Sequence, residues 1–254
     1  MDLALYWFYG LPALSFFLLY LGELWLPCYQ QPKIYQPSDW LLNIIGLFIQ
    51  GVLIPLLGIV FAYTLFPQLD FLKPGALKLS WFGAFLFNII VIDFLYYWQH
   101  RLFHRFSFLW KLHECHHSSP RVDIWATSRN NLWVNFLFVY LLINPVIGYL
   151  CQNPEGFFAG SMLTASLDIF RHSKIDFKRL PKQKWIQAMA KIIVMPWMHH
   201  SHHNMLKKAH NFGANLIIWD KIFKTFEESG QQNIQYQLLN SSSYRYQFYY
   251  PFTR

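Results

Sequence analysis

Charged residues are scarce in this sequence. Asp, Glu, Lys and Arg make up 13% of its 254 residues, whereas apolar residues make up 54%. An average soluble domain carries about 25% charged residues. The shortage comes from long uncharged stretches and is not spread evenly along the chain. This distribution predicts an integral membrane protein and argues against an ordinary soluble enzyme.

Cysteine is equally scarce. The three cysteines, Cys28, Cys115 and Cys151, show no C-x-x-C spacing, and an odd number does not build a disulfide framework. No haem, flavin or iron–sulfur binding pattern is recognisable in these residues. We therefore expect free thiols, with Cys115 a bystander, and electrons delivered by a separate protein.

Acidic residues are outnumbered by basic ones, and the net charge is +8. A basic chain can bind nucleic acid, but an aromatic content of 20% favours a membrane. Basic residues concentrate after the third and fifth apolar runs, beside the histidine clusters. The positive-inside bias makes that side cytoplasmic. We expect no nucleic-acid partner and a basic cytoplasmic face that suits an acidic electron donor.

Five apolar runs interrupt the polar sequence. They span residues 4–26, 40–66, 80–97, 132–150 and 156–170. The last two are short and meet at QNPEG, so they predict a hairpin that either crosses or re-enters the membrane. The fold class is therefore an all-α integral membrane protein with about four transmembrane helices.

Histidines cluster at helical spacings. Eight of them form one i, i+4 pair and two i, i+3, i+4 triplets, and these spacings share a helix face. They are His100, His104, His113, His116, His117, His199, His202 and His203. Neutral imidazole binds Fe, Zn, Cu and Ni, and eight ligands exceed the coordination number of one metal. We expect two metal ions, with His200 pointing about 100° away from them.

Asp93 lies on the same helical stripe as His100 and His104. A carboxylate at that depth is costly unless it has a partner. It would either orient a ligand imidazole through its second nitrogen or hydrogen-bond a neighbouring helix.

Four ordered motifs carry a family resemblance. They are D-x-x-x-Y-x-x-H-R-x-x-H at Asp93–His104, L-W-x-x-H-x-x-H-H at Leu109–His117, P-x-x-H-x-x-H-H at Pro196–His203, and N-F-G-x-x-L-x-x-W-D-x-I-F-x-T at Asn211–Thr225. This set resembles the membrane fatty acid hydroxylase / sterol desaturase superfamily over residues 80–226.

The resemblance implies a di-iron enzyme that uses O2 and two electrons to hydroxylate or desaturate a C–H position of a lipid. It also implies that a cytoplasmic helical cap above the membrane helices holds a dinuclear histidine site. The lipid would be sterol-like, fatty acyl or related. The resemblance carries the ligand role to the eight clustered histidines and adds His172 as a ninth candidate. It places Asp93, Asn211 and Asp220 around them, and zinc is the alternative metal in purified protein.

The chain departs from the family pattern at four places. Lys174 replaces an Asn, Arg129-Asn130-Asn131 replaces R-x-H-P, Ala209 replaces an acid, and Lys224 stands in the usual F-G-T. None removes a predicted ligand. Arg129 would pair with a carboxylate or a lipid headgroup, and Asp220 would cap a helix or bond a histidine.

The predicted organisation is one domain over residues 1–254. Residues 1–79 form membrane anchors, 80–226 form the catalytic histidine region, and 227–254 form a surface tail with an aromatic patch. The alternatives are a non-enzymatic membrane metal-binding protein, a haem-binding redox protein, an inactive scaffold relative, and an acyl-lipid desaturase with similar histidine boxes.

Overall fold

The structure is a computed structural model that describes residues 3–29, 34–136, 142–180, 184–204, 206–228 and 244–250. Within these ranges the chain is helical, and its only β-pairing consists of three isolated bridges. The expected all-α class is confirmed. Cys28, Cys115 and Cys151 are free thiols.

The described ranges contain thirteen α-helices. They are α1 Leu3–Trp25, α2 Pro37–Phe48, α3 Ile54–Thr64, α4 Trp81–Phe87, α5 Asp93–Arg105, α6 Ser107–His117, α7 Leu132–Phe136, α8 Asn144–Leu150, α9 Pro154–His172, α10 Lys184–Met189, α11 Pro196–His202, α12 Ile218–Ile222 and α13 Tyr244–Tyr249. Short 3-10 turns at Phe66–Gln68 and Ile124–Ala126 complete the helical segments.

Among the residues that the structure describes, two continuous helices are long and apolar enough to cross a membrane, Pro37–Gln68 and Trp81–Arg105. A π-helical turn joins α2 to α3 at Ile49–Leu53, and another joins α4 to α5 at Asn88–Ile92. Large apolar side chains stay exposed along the first helix. Examples are Ile44, Phe48, Leu56 and Ile59. Such a patch is what lipid would cover, and the number of spans beyond two remains a prediction.

The second long helix carries histidines beyond its apolar part. The apolar run ends at residue 97, but the helix continues to Arg105. His100 and His104 therefore extend from a candidate membrane helix, as the helical stripe predicted. Asp39 lies in the first turn of α2, near the start of the other long helix.

Helix α9 is the central support of the described fold, because α1, α4 and α11 all pack against it. Two glycines allow α4 to come close. A Cβ on Gly156 would lie 2.1 Å from the Trp81 carbonyl oxygen, and one on Gly160 would lie 2.7 Å from the Asn88 Cβ. Both distances are far below contact, so these positions require glycine. The close approach fixes the helix that ends at His172.

The predicted hairpin turn lies between α8 and α9, where Cys151 bonds back to α8 and Pro154 starts α9. Residues 137–141 of the fourth apolar run lie outside the described residues. Whether this hairpin crosses a membrane stays a prediction.

The aromatic tail, expected at the surface, is partly buried in α13, because Phe248 is 7% exposed whereas Tyr249 is 44% exposed. Phe248 is buried in an apolar cluster with Leu42, Ile49, Ile54 and Cys115. The Asn131 amide also donates to the Tyr250 carbonyl at 3.0 Å. The Phe248 ring packs against apolar residues of α2, α3 and α6. Composition alone did not predict this contact.

Candidate metal centre

Nine buried or nearly buried histidines converge in two groups. Within each group, every histidine offers one ring nitrogen, and these nitrogens lie within 4.8 Å of one another. The five-histidine group is His100, His104, His113, His117 and His202. The four-histidine group is His116, His172, His199 and His203. The structure thus brings together every histidine that the sequence nominated.

The two sequence clusters do not map onto the two groups. His113 and His117 enter the five-histidine group, whereas His116 of the same triplet enters the other. His202 is likewise separated from His199 and His203. Helices α6 and α11 therefore lie between the groups, and each contributes to both.

Backbone carbonyls orient several of the imidazoles. Nδ1 of His100 donates to the Phe212 carbonyl at 2.9 Å, and Nδ1 of His116 donates to the Arg129 carbonyl at 3.1 Å. Nδ1 of His172 donates to the Asp168 carbonyl at 2.8 Å. A carbonyl can only accept, so the proton lies on Nδ1 and the Nε2 lone pair stays available for a metal.

Several buried ring nitrogens have no suitable hydrogen-bond partner, as expected where a metal ion binds. Nε2 of His116 and Nε2 of His172 face each other at 3.4 Å, although both rings carry their proton on Nδ1. Two facing lone pairs repel unless a cation lies between them. In the other group, Nε2 of His104 and both nitrogens of His113 are buried without a hydrogen bond. Buried polar atoms without partners need an explanation, and a metal ion in each group supplies one.

Burial keeps these rings neutral. It lowers the pKa of His116 and of His202 to about 3. The pKa values of His113, His117 and His203 also lie well below the usual value. Burial is the largest cause, and the charge of neighbouring imidazoles is the second. A desolvated imidazole disfavours its charged form. At neutral pH each of these five neutral rings therefore has one nitrogen lone pair available for a metal.

Asp93 does not reach a histidine. Its carboxylate accepts hydrogen bonds from the backbone N–H groups of Asn215 and Leu216 and from Nε1 of Trp219. Of the two roles considered for it, the structure shows the bond to a neighbouring segment. This carboxylate anchors the segment before α12 against α5.

Asp220 holds the segment next to the five-histidine group. It accepts from the Phe212 N–H at 2.8 Å, the Gly213 N–H at 2.8 Å and the Thr225 hydroxyl at 2.7 Å. Asp220 therefore stabilises the loop that contains Phe212 and Gly213. It does not cap a helix or bond to a histidine. The Gly213 N–H that Asp220 binds and the Phe212 carbonyl belong to one peptide unit, and this carbonyl accepts the hydrogen bond from Nδ1 of His100. Asp220 therefore positions the acceptor that orients His100.

Asn211 latches the same segment to α11. Its side-chain amide donates to the carbonyls of Met198 and Glu227, and its side-chain oxygen accepts from the Glu227 N–H. Its φ of +54° lies in the left-handed region, which Asn tolerates better than most residues. Asn211 thus positions the chain that precedes Phe212.

Sequence reasoning left Arg129 between two roles, and the structure shows the carboxylate. Its guanidinium pairs with Asp39 at 2.8 Å and donates to the Cys115 carbonyl and the Ser118 hydroxyl. Arg129 is almost fully buried. It therefore joins the start of α2 to the end of α6, while its carbonyl orients His116.

Sequence reasoning missed Asp168. Its carboxylate lies 3.0 Å from Nδ1 of His172 and 2.6 Å from the Arg171 guanidinium. The signal was present, because Asp168 and His172 stand four residues apart on one helix. A carboxylate behind a ligand histidine raises its basicity, so Asp168 belongs to the site.

His200 and His210 stay outside both groups. Nε2 of His200 lies 3.1 Å from the Ser173 carbonyl oxygen, in keeping with its expected direction. His210 contacts the Ser201 hydroxyl through Nε2, and its carbonyl accepts from Nδ1 of His202. His210 therefore supports a candidate ligand without being one.

Comparisons with known proteins agree with this geometry. A family model described as fatty acid hydroxylase matches residues 85–225, which include all nine histidines of the two groups. The match begins in α4 and ends at Thr225, which bonds to Asp220.

Several curated proteins are similar to the chain. An ornithine lipid hydroxylase of Rhizobium tropici is 29% identical over 58% of this chain and 43% of its own length. The alkylglycerol monooxygenase of Homo sapiens is 26% identical over 60% of this chain and 32% of its own length. A fatty acid hydroxylase of Lecanicillium sp is 24% identical over 61% of this chain and 45% of its own length.

The matched segment spans less than half of each of these relatives. No solved structure matches the chain significantly. The family model nevertheless covers more than half of the sequence, including the whole histidine arrangement. The chain therefore belongs to the fatty acid hydroxylase family.

Proposed function

We propose that this chain is a membrane-bound, O2-dependent di-iron oxidoreductase that hydroxylates or desaturates a C–H position of a lipid. The observation that carries the proposal is the convergence of nine histidines, eight of them buried, in two adjacent groups. The relatives named hydroxylase or monooxygenase favour hydroxylation of the two outcomes.

Each histidine group would hold one iron ion. The five-histidine and four-histidine groups supply neutral nitrogen ligands, and such ligands suit iron as well as zinc. When bound, the two irons supply the reduction of O2 by two electrons. In the hydroxylation outcome, one oxygen atom enters the lipid as a hydroxyl group, and the other leaves as water with two protons.

The residues of the chain supply orientation and a dry site. The carbonyls of Phe212 and Arg129 fix two imidazoles in one tautomer. His113, His116 and His117 are each at most 6% exposed, so bulk water is kept from the groups. Preorganised ligands in a water-poor site limit side reactions of the reduced oxygen.

We also propose a multi-pass topology with the histidine groups on the cytoplasmic face. The two long apolar helices and the exposed apolar side chains along them support membrane insertion. The basic residues beside both histidine clusters support the orientation.

A basic hollow on the cap would receive the separate electron donor. Its lining combines three lysines and one acid with apolar side chains that include Trp197 and Met198; the charged residues are Lys178, Lys191, Lys221 and Glu228. Trp197 belongs to α11, two residues before His199. A donor with an acidic surface would be attracted here, and salt would screen that attraction.

The donor proposal has a direct kinetic test. Reduction by a candidate acidic donor should slow as ionic strength rises, and a Lys178→Gln, Lys191→Gln, Lys221→Gln triple variant should lose most of that salt dependence. A rate that is the same at low and high salt would contradict electrostatic docking.

The main experiment compares lipids from cells that express the wild type and the His116→Ala variant. The wild type should add or remove a lipid species that differs by one oxygen or two hydrogens, and the variant should not. His200→Gln is the matched control, because His200 neighbours the ligands but lies outside both groups. Identical lipid profiles for the wild type and His116→Ala would favour the non-enzymatic metal-binding protein.

A further inference from the structure

One face of α2 packs against the loop that precedes α7, although α2 carries no histidine. Asp39 and Gly46 stand seven residues apart, which is close to two helical turns, so both lie on this face. Gly46 is buried there, whereas Ile44 and Phe48 on other sides of the helix are exposed. The face with Asp39 and Gly46 is therefore turned towards the protein.

The contact at Gly46 is between two stretches of backbone. A Cβ on Gly46 would lie 2.0 Å from the Ser128 carbonyl oxygen, 2.7 Å from the Ser128 carbonyl carbon and 3.3 Å from the Arg129 nitrogen. These three atoms belong to one planar peptide unit, so no flexible side chain can move aside. The loop rests directly on the helix, and this distance requires glycine.

Arg129 is fixed to the same face of α2 twice. Its backbone nitrogen belongs to the peptide unit that contacts Gly46, and its guanidinium pairs with Asp39 at 2.8 Å. The Arg129 carbonyl, one peptide unit further along, accepts the hydrogen bond from Nδ1 of His116 at 3.1 Å. Helix α2 therefore limits where the acceptor of the His116 proton can lie.

The Arg129 carbonyl serves the four-histidine group, because His116 belongs to that group. In the five-histidine group, the carbonyls of Phe212 and His210 orient His100 and His202 instead. A shift of the loop before α7 should therefore disturb one group and spare the other.

We infer that Gly46 and Asp39 are positioning residues for the metal centre, and that they act on His116 through Arg129. The inference rests on the proposed function, because it assigns a role at the metal site of that function. Both residues lie in the long helix Pro37–Gln68, outside the segment that the family model matches. The support of the metal centre thus extends to a membrane helix that the family match does not include.

The size of the effect follows from the contact distance. Ordinary van der Waals contact begins at 3.4 Å, so a methyl group on Gly46 must separate the two backbones by about 1.4 Å. A His116 hydrogen bond of 3.1 Å that is lengthened by a similar amount no longer counts as one. Loss of the partner that orients a ligand histidine weakens metal binding by about 10- to 100-fold.

The test compares Gly46→Ala with Gly51→Ala. Both variants add one methyl group to the same continuous helix, but a Cβ on Gly51 meets no atom within 4 Å. The metal-free full chain in detergent is titrated with Co²⁺ and followed by visible absorption. Two backgrounds assign the sites, since His104→Ala keeps the four-histidine group and His203→Ala keeps the five-histidine group.

Gly46→Ala should weaken Co²⁺ binding by about tenfold or more in the His104→Ala background, and should leave it unchanged in the His203→Ala background. Gly51→Ala should change neither. In metal-free protein with isotope-labelled histidine, NMR should show that Gly46→Ala loses the hydrogen-bonded Nδ1–H signal of His116 and that Gly51→Ala keeps it.

A second variant approaches the same loop without adding bulk. Asp39→Asn removes the charge that holds Arg129, but its side-chain oxygen can still accept from the guanidinium, so the fold should survive. It should weaken Co²⁺ binding at the four-histidine group by a smaller factor than Gly46→Ala does. Where Gly46→Ala does not fold, Asp39→Asn decides alone.

The outcomes separate this inference from the proposed function. Equal weakening of both groups would show a general disturbance of the fold and overturn the positioning role, as would unchanged binding in the folded variants. Selective weakening at the four-histidine group, in a chain whose wild type oxidises no lipid, would support the positioning role and contradict the proposed enzyme.

Discussion

The two histidine groups lie side by side but are supported differently. Backbone carbonyls of Phe212 and His210 orient His100 and His202 in the five-histidine group. The four-histidine group adds a side-chain carboxylate, because Asp168 lies 3.0 Å from Nδ1 of His172. The two candidate metal positions therefore differ in ligand number and in ligand basicity.

This difference indicates a division of roles. A carboxylate behind an imidazole raises its basicity, so the smaller group compensates for fewer ligands with a stronger one. Fewer ligands also leave more room around the metal for other molecules. Four predictions follow from the contrast between the groups.

Removing one ligand from either group should have the largest effect. His104→Ala in the five-histidine group and His203→Ala in the four-histidine group should each reduce bound metal below two ions per chain and abolish the lipid product. Elemental analysis of gently purified protein measures the first effect, and lipid mass spectrometry measures the second. His200→Gln should keep both metals. Full metal content in either alanine variant would remove that group from the proposed site.

Much of this site could be predicted from local sequence patterns. The i, i+3 and i+4 spacings placed histidines on shared helix faces, and the stripe from Asp93 to His104 predicted a helix that carries ligands beyond its apolar part. The division of His116 from His113 and His117 could not be predicted. It depends on which neighbouring helix each ring faces, and spacing within one helix does not contain that information.

The contacts that support the histidine ligands could not be predicted from the sequence for a related reason. Asp39 and Arg129 pair across 90 positions, and Asp93 bonds to Asn215 across 122. Spacing patterns detect neighbours along a helix and do not detect such pairs. Asp168 is the exception, since its partner stands one helical turn away.

Breaking the Arg129 pair should have the next largest effect. Arg129→Gln leaves Asp39 without its charged partner. It also removes the N–H groups that donate to the Cys115 carbonyl and the Ser118 hydroxyl. The free energy of unfolding should therefore fall by about 3 kcal/mol. Thermal unfolding in detergent measures the change. Arg179→Gln is the control, because the Arg179 side chain is 68% exposed where it pairs with Asp176.

The pair also has an internal check. Adding Asp39→Asn to Arg129→Gln should recover part of the loss, because it removes the uncompensated carboxylate. A loss for Arg129→Gln no larger than that for Arg179→Gln would show that the pair does not support the four-histidine group.

Replacing the carboxylate should separate the two groups more finely. Asp168→Asn should weaken metal binding by about 10- to 100-fold, and only in the four-histidine group. Titration with Co²⁺, followed by its visible absorption, would show one weakened site and one unchanged site. Equal weakening of both sites would mean that the groups act as one unit and that the contrast between them is wrong.

The smallest effect concerns the loop that supports the five-histidine group. Lys224 is exposed and has a φ of +57°, which strains a residue with a side chain. Lys224→Gly should relieve that strain and stabilise the fold by about 0.5 kcal/mol, after the extra freedom of glycine in the unfolded chain is subtracted. Thermal unfolding measures the gain, and Lys221→Gly inside α12 should instead destabilise. A loss of stability in Lys224→Gly would mean that its side chain makes a needed contact.

The glycine contact between α4 and α9 makes the centre sensitive to changes far from any metal. Gly160 lies twelve residues before His172 on one uninterrupted helix, about 18 Å away at 1.5 Å per residue. Because a helix is stiff, a tilt at one point displaces the residues at its far end. A single methyl group at Gly160 would therefore displace the His172 ring at the far end, so substitutions that disturb the four-histidine group can lie deep in the apolar interior.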